Sequence, residues 1–255
     1  MNYSVSFTTF NKRLEPFKNI FTKIKSQRED IECTVIINGV LNEPFDEKYR
    51  KEILEFLTPF KNTFPIMFPE FRSISKKWNT ACQMTRQDNV LVLHDDVDVG
   101  DTFMDDFENI FPQYEGECFI LNGGMGAVVL NKQRMHEVNW FDERYLSMGH
   151  EDGTFHMQYQ SKYGYPTKIV KIPSYFTEEL PWQIDLIKDE SRKDGRLPGQ
   201  RAYSLGGGPD NSVKDYSLFN DEINDTIRMG LPVYGVSRQQ QYPYEEYFWK
   251  NKNKI

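Results

Sequence analysis

Two acidic clusters in this chain have the residue types and the spacing to do chemistry. In the first, the apolar run Val90-Leu91-Val92-Leu93 gives way at once to His94-Asp95-Asp96-Val97-Asp98. Such a run reads as a strand buried on both faces, so charge belongs only where the strand leaves the core. Three carboxylates at one strand end repel each other unless a cation sits among them, and oxygen ligands suit Mg²⁺ or Mn²⁺. A divalent ion at the mouth of an α/β sheet would hold phosphates, which points to a nucleotide or another phosphorylated substrate. The register stays open. Asp96-Val97-Asp98 makes an Asp-x-Asp pair and His94-Asp95-Asp96 a His-x-Asp pair, with Asp96 common to both.

Other uses of these acids can be weighed from the same residues. Counted as a calcium loop from Asp96, the twelfth position is Phe107 and the sixth is not glycine, so that motif fails. A phosphatase-type nucleophile wants Asp-x-Asp-x-Thr, and Gly100 stands at the fifth place. A metal–diphosphate clamp remains, as does a solvated loop whose acids cap the following helix. Asp105, Asp106 and Glu108 are read in that last way. The second cluster is Glu151-Asp152, within Gly149-His150-Glu151-Asp152-Gly153. Adjacent acids at a helix start are favoured by the macrodipole; they could equally supply a general base for an acceptor hydroxyl. The dipole lowers an acid's pKa, whereas an acidic neighbour and a dry pocket raise it.

The elements that must position these acids alternate. Residues 3–9 read as a strand, then a helix with Pro16 in its first turn carries Phe17, Ile20, Phe21 and Ile24. Cys33–Ile37 is a second strand and Phe45–Leu57 a helix. A short strand near Pro65–Phe68 precedes a helix capped by Ser73 and running to Thr85. The buried strand 90–93 follows, then a helix starting at Asp101. That alternation predicts a parallel sheet covered on both faces, with ligands beyond its carboxyl ends, where Thr8–Arg13, Asn38-Gly39 and His94–Asp98 all fall. Later come Phe119–Leu121, the glycine run Gly123-Gly124-Met125-Gly126, Ala127–Leu130, a helix near Lys132–Glu137, a helix after Glu151 closed by Gly164, and a late strand at Lys168–Ile172. The glycines allow close approach to a ligand, or only a tight turn. Residues 181–255 read as an extension packed on a main domain of residues 1–180.

Bulk properties narrow the class. A chain of 255 residues can bury a sizeable core. Net charge of −7 and a pI of about 5.3 argue against a general nucleic-acid or acidic-membrane binder. No stretch approaches the roughly 20 apolar residues that span a bilayer. The opening residues, Met1 to Phe7, lack a signal pattern. Cys33, Cys82 and Cys118 have no metal-like spacing, so reduced thiols and a cytoplasmic location are expected. Aromatic content of 15% suits a ring-stacking site or an aromatic-rich core.

Taken together, residues 3–175 resemble a nucleotide-sugar glycosyltransferase of the GT-A fold, near family 2 and the galactosyltransferase C-terminal domain group. Val5 to Arg13 resembles the first strand and nucleotide loop. Ile36-Ile37-Asn38-Gly39 resembles the second strand end, with Asn38 where the family usually has a base-reading Asp. Arg72 through Trp78-Asn79 and Ala81 resembles the helix whose Asn supports the sugar-nucleotide site. His94–Asp98 stands at the family's Asp-x-Asp. Gly123-Gly124, Phe141 to Tyr145 and Gly149 to Asp152 resemble the acceptor-side block.

The resemblance implies a Rossmann-like, mostly parallel sheet and a metal-dependent inverting transfer to a hydroxyl. Thr8, Asn11, Arg13, Asn38, Arg72, Asn79, Asp95 and Asp96 would hold a nucleotide-sugar donor, UDP-linked. Asp96 and Asp98 would hold Mn²⁺ or Mg²⁺. Asp152 would be the base, and Glu151, Trp140 and the Gly123–Gly126 loop would shape the pocket of a saccharide or other hydroxyl acceptor. Some relatives add a late metal-binding His; His156, Glu178 and Glu179 are the substitutes here, and His156 also reads as an ordinary helix-face residue. A non-catalytic nucleotide-sugar binding module, and a phosphatase or nucleotidyltransferase, are the rivals. The last normally has a basic, Gly-rich loop where this chain has Thr8-Thr9-Phe10-Asn11.

Overall fold

The computed structural model describes residues 2–10, 13–39, 44–69, 72–95, 97–143 and 151–176. The expected extension 181–255, and the boundary near 180, lie outside them. In chain order the first half is β1 (Tyr3–Phe10), α1 (Leu14–Gln27), β2 (Cys33–Asn38), α2 (Glu47–Leu57), β3 (Thr63–Phe68), α3 (Ile74–Gln83) and β4 (Asn89–His94). The four strands lie parallel in the order β3-β2-β1-β4, as the alternation predicts. The second half adds β5 (Asp98–Val99), α4 (Phe103–Ile110), β6 (Phe119–Leu121), β7 (Ala127–Asn131), α5 (Lys132–Glu137), α6 (Glu151–Tyr163), β8 (Lys168–Val170) and β9 (Tyr175–Phe176). β7 runs antiparallel beside β4, β6 antiparallel to β7, and β8 parallel to β6. The result is one seven-stranded, mostly parallel sheet. The short β5 and β9, not foreseen, pair as a separate ribbon.

Strand alternation sorts the core into two layers. Val5, Phe7, Leu91 and Leu93 face Phe17, Phe21 and Phe107 on the side of α1, α2 and α4. Val90, Val92, Val128 and Leu130 face Trp78, Cys82, Phe155 and Tyr159 on the side of α3 and α6. Because both faces are covered, β4 must be apolar throughout, which is why it reads as an unbroken run. The aromatic content serves this core: Phe7, Phe17 and Phe21 pack as one group of tilted rings.

Helix ends follow local chemistry. Asp46 accepts from the N–H groups of Lys48 and Tyr49, Ser73 from Lys76, and Asn131 from Arg134. Gly164, at φ +77°, closes α6 with its N–H on the Gln160 carbonyl. The fourth helix departs from expectation: it begins at Phe103 with Thr102 at its N-cap, and Asp101 lies outside it. Asp105 and Glu108 do not act as caps; both pair with Arg28 at the end of α1. The three cysteines are buried and free, and burial pushes the Cys33 and Cys118 thiols up to about 12. No helix among the described residues is long and apolar enough to cross a membrane.

Lys25 ties the amino-terminal edge of the sheet together. Its buried ammonium donates to the carbonyls of Glu29, Ile31 and Lys61 at 2.8, 2.9 and 2.8 Å, joining the segments that enter β2 and β3. An apolar replacement leaves three carbonyls short of a partner. Lys25→Met should therefore lower stability by about 3 kcal/mol in urea unfolding. A loss below about 1 kcal/mol would show that water satisfies those carbonyls instead.

Candidate active site

The end of β4 divides its polar residues between the two layers. His94 continues the face of Val92 and meets α3, where the Trp78 indole N–H donates to its Nε2 at 2.7 Å. Asp95 continues the face of Leu93 and turns under the sheet toward α1. Thr8 stands in register with His94 and is buried. Asp96, the residue common to both registers of the acidic motif, lies outside the described residues, as does Asn11.

Asp95 and Arg13 satisfy each other. The Arg13 guanidinium lies 2.7 Å from Asp95 Oδ1, and both side chains are at most 5% exposed. A buried charge is stable only when paired, so the turn between β1 and α1 is pinned to the end of β4. Tyr49 reaches in from α2; burial pushes its phenol pKa up, and the Asp95 charge adds to the shift. Arg13 and Asp95, both expected beside a nucleotide, are thus paired across the end of β4.

Asp98 takes a different cation. Its Oδ1 accepts from Lys23 Nζ at 2.6 Å, from its own neighbour Val99 N–H at 2.9 Å and from Asn19 at 3.4 Å. All three bonds fall on one oxygen. Asp95 and Asp98 thus pair with different cations, Arg13 at the N-cap of α1 and Lys23 within that helix. Among the described residues no three His, Cys, Asp or Glu side chains cluster to hold a metal ion. Asp98 Oδ2 accepts no bond within the described residues.

Between these acids, Val97 packs into the core against the start of β7. A Cβ on Gly126 would sit 2.7 Å from Val97 Cγ1 and 3.2 Å from the Tyr175 hydroxyl. The Gly126 carbonyl also accepts the His94 N–H at 2.8 Å. Glycine at 126 therefore serves close backbone approach, and what approaches is the acidic segment itself. Gly123, at φ +101°, follows Asn122 at φ +52° in the tight turn. The Asn122 amide donates to the carbonyls of Ile172 and Tyr175 and accepts the Ile172 N–H, which fastens the chain entering β9 against β5.

The Phe141–Glu143 segment hangs on α3. Asn79 donates to the Phe141 carbonyl and to Glu143 Oε1, both at 2.9 Å, and accepts the Phe141 N–H at 3.0 Å. Lys76 adds a 3.4 Å contact to Glu143. Just before this clamp, Asn139 and Trp140 both adopt positive φ, near +68° and +66°, a costly conformation for a bulky residue. It leaves the Trp140 ring half-buried. Ring contacts then run from Trp78 to Phe141 at 4.8 Å and from Phe141 to Phe155 in α6 at 4.6 Å. That helix opens with Glu151, which is buried, and Asp152, which is half-buried and accepts the Gly153 N–H. The first-turn position foreseen for both acids is observed.

Other expected site residues have partners within the protein. Asn38 has both ends of its amide on the Arg72 backbone, each at 2.9 Å, so it joins β2 to the entry of α3. That pairing uses the edge expected to read a base. Asn79, expected beside the donor, holds Phe141 and Glu143. His156 bonds Thr167 through Nδ1, and burial lowers its pKa against an opposing pull from Asp152. Glu178 and Glu179 lie outside the described residues. Lys23, Asn122 and the clamp role of Asn79 were not foreseen, since each depends on a contact far along the chain.

The fold and its polar strand ends define an α/β protein of the Rossmann-like kind, with its candidate site at the carboxyl edge of the parallel strands. No family model matches the chain, and no curated protein matches it in sequence. Solved structures do. Staphylococcus aureus TarS superposes with a TM-score of 0.53 at 11% identity over 95% of this chain, which spans 47% of the TarS chain. TarS residues 1–349 in complex with UDP give 0.53 at 12% identity, covering 93% of this chain and 95% of that one. The complex with UDP-GlcNAc gives 0.50 at 12% identity, covering 94% and 78%. At these identities the likeness establishes a shared fold.

Two stability experiments follow from the buried contacts. Arg13→Ala strands the Asp95 carboxylate and should cost about 3–5 kcal/mol, whereas Arg13→Met with Asp95→Leu should recover most of it. Equal losses in single and double variants would argue against a paired charge. Gly126→Ala should cost about 1–3 kcal/mol, and Val97→Ala in the same chain should return part of that loss. Strict additivity in the double-mutant cycle would mean the two residues do not touch.

Proposed function

We propose that this chain is a metal-dependent, inverting glycosyltransferase that moves a sugar from a UDP-linked donor to a saccharide or other hydroxyl acceptor in the cytoplasm. The observation that carries this reading is the TarS fold, solved with UDP and with UDP-GlcNAc and matched over more than nine-tenths of the chain, together with acids at the carboxyl end of β4. A nucleoside diphosphate would lie across the ends of β1, β2 and β4, near Thr8, Asn11, Asn38 and Arg72. Arg13 and Asp95 brace the floor beneath it.

The divalent cation that fits this site, Mn²⁺ or Mg²⁺, would be held by Asp96 and by Asp98 Oδ2, and when bound it neutralises the departing diphosphate. Asp152 removes the proton of the acceptor hydroxyl as that oxygen attacks the anomeric carbon. The bond from that carbon to the diphosphate breaks on the opposite side, which inverts the centre. Glu151, buried beside Asp152, and Trp140, fixed by its backbone, shape the acceptor pocket. The internal pairing of Asp95 with Arg13 and of Asp98 with Lys23 favours one rival, a module that binds nucleotide sugars without turnover.

Thermal shift and turnover assays separate the two. UDP-GlcNAc with Mn²⁺ should stabilise the protein, and hydrolysis or transfer should follow; stabilisation without turnover supports the binding module. Asp152→Asn should retain donor binding and lose transfer by about 10²-fold or more, and full activity would remove it as base. Asp98→Asn should raise the Mn²⁺ requirement while Lys23→Met leaves it near the wild-type level. Equal effects of the two substitutions would reduce Asp98 to a brace on α1.

A further inference from the structure

Asn38 closes β2 at the carboxyl edge of the parallel strands, where a polar side chain ordinarily meets a ligand. Its amide is instead spent inside the protein. It donates to the Arg72 carbonyl and accepts the Arg72 N–H, both at 2.9 Å, holding one residue from both sides as a neighbouring strand would. Each end of an amide has a second hydrogen-bonding site, but at 1% exposure neither is open to a base. Its neighbours in register are Phe10 on β1 and Phe68 on β3, whose rings have no hydrogen bond to give. The residue it holds stands just ahead of Ser73, whose hydroxyl caps α3 on the Lys76 N–H. The Arg72 backbone is therefore fixed between a strand end and a helix cap, and so is the point from which its side chain starts.

We infer that Asn38 is a positioning residue for donor binding: it sets where Arg72 meets the nucleoside diphosphate and takes no part in reading the base. The ligand rests on the proposed function, in which a nucleoside diphosphate lies near Arg72; the hold of Asn38 on Arg72 does not. Affinity for the donor then depends on position 38, whereas selectivity among bases does not. A carboxylate there would turn an oxygen on the Arg72 carbonyl and bury its charge, so the amide is the side chain that fits.

The test uses the full chain. Asn38→Ala removes both bonds to Arg72, and Asn38→Asp keeps the acceptor of its N–H while opposing its carbonyl. Without nucleotide, the Arg72 amide proton should exchange with solvent about tenfold faster in Asn38→Ala than in the wild type. The Kd for UDP should rise about fivefold in both variants, and those for CDP and GDP by the same factor. Arg72→Ala should itself weaken UDP binding, and adding Asn38→Ala to it should change the Kd less than about twofold, because nothing is left to position. If Asn38→Ala does not fold, Asn38→Asp carries the affinity comparisons. A shift of about tenfold or more in the ratio of UDP to CDP affinity would show that Asn38 reads the base and overturn the inference. Additive losses in the cycle also overturn it, as does UDP affinity that Arg72→Ala leaves unchanged. If the wild type binds none of the three nucleotides, the proposed function fails and the donor role with it, while amide exchange still decides whether Asn38 holds Arg72.

Discussion

A carboxylate that ends a strand buried on both faces must find a cation within the protein, and the arrangement around β4 answers that demand. Asp95 cannot reach water, so Arg13 is drawn inward and fixes where α1 begins. Once α1 is set, its second and third turns bring Asn19 and Lys23 to Asp98, and its end brings Arg28 to Asp105 and Glu108. One helix thus balances charge along the acidic segment from Asp95 to Glu108. Exposed pairs of this kind stabilise little; the buried one differs because removing either partner leaves a charge in a medium that cannot solvate it.

The opposite layer is organised mainly by hydrogen bonds from amide and indole groups. α3 presents Trp78 to His94 and Asn79 to the Phe141–Glu143 segment, while Asn38 grips the chain just ahead of that helix. Each bond is modest, but each joins residues distant in sequence, so α3 cannot shift without moving both the strand end and the Phe141–Glu143 segment. Charge governs the lower layer and amide geometry the upper. β4 separates them because its successive side chains point to opposite faces.

Much of this fold was legible in the sequence because both of its periods are strong. The unbroken apolar run of β4, the helical spacing of Phe17, Ile20, Phe21 and Ile24, and Ser73 as a cap each reflect local rules and appear where expected. Asp101 misled because an acid is a plausible cap, yet Thr102 at the next position takes that place. β5 and β9 were invisible, since a two-residue pairing across more than seventy positions leaves no periodic trace. The acidic motif was legible as a site but not in its detail. Nothing in Asp95-Asp96-Val97-Asp98 tells which carboxylate will meet an arginine buried at position 13. The amide roles of Asn38, Asn79 and Asn122 were hidden for the same reason, because their partners are backbone groups set by tertiary packing.

The ribbon of β5 and β9 makes the two ends of the described fold unequal. β1 begins at Tyr3, on the far side of the sheet from the carboxyl edge, whereas Phe176 pairs directly with Asp98. Phe176 is therefore held beside the acidic end of β4. A reporter fused ahead of Tyr3 would start on the side of the sheet away from that acidic segment, while one spliced in after Phe176 would start next to it.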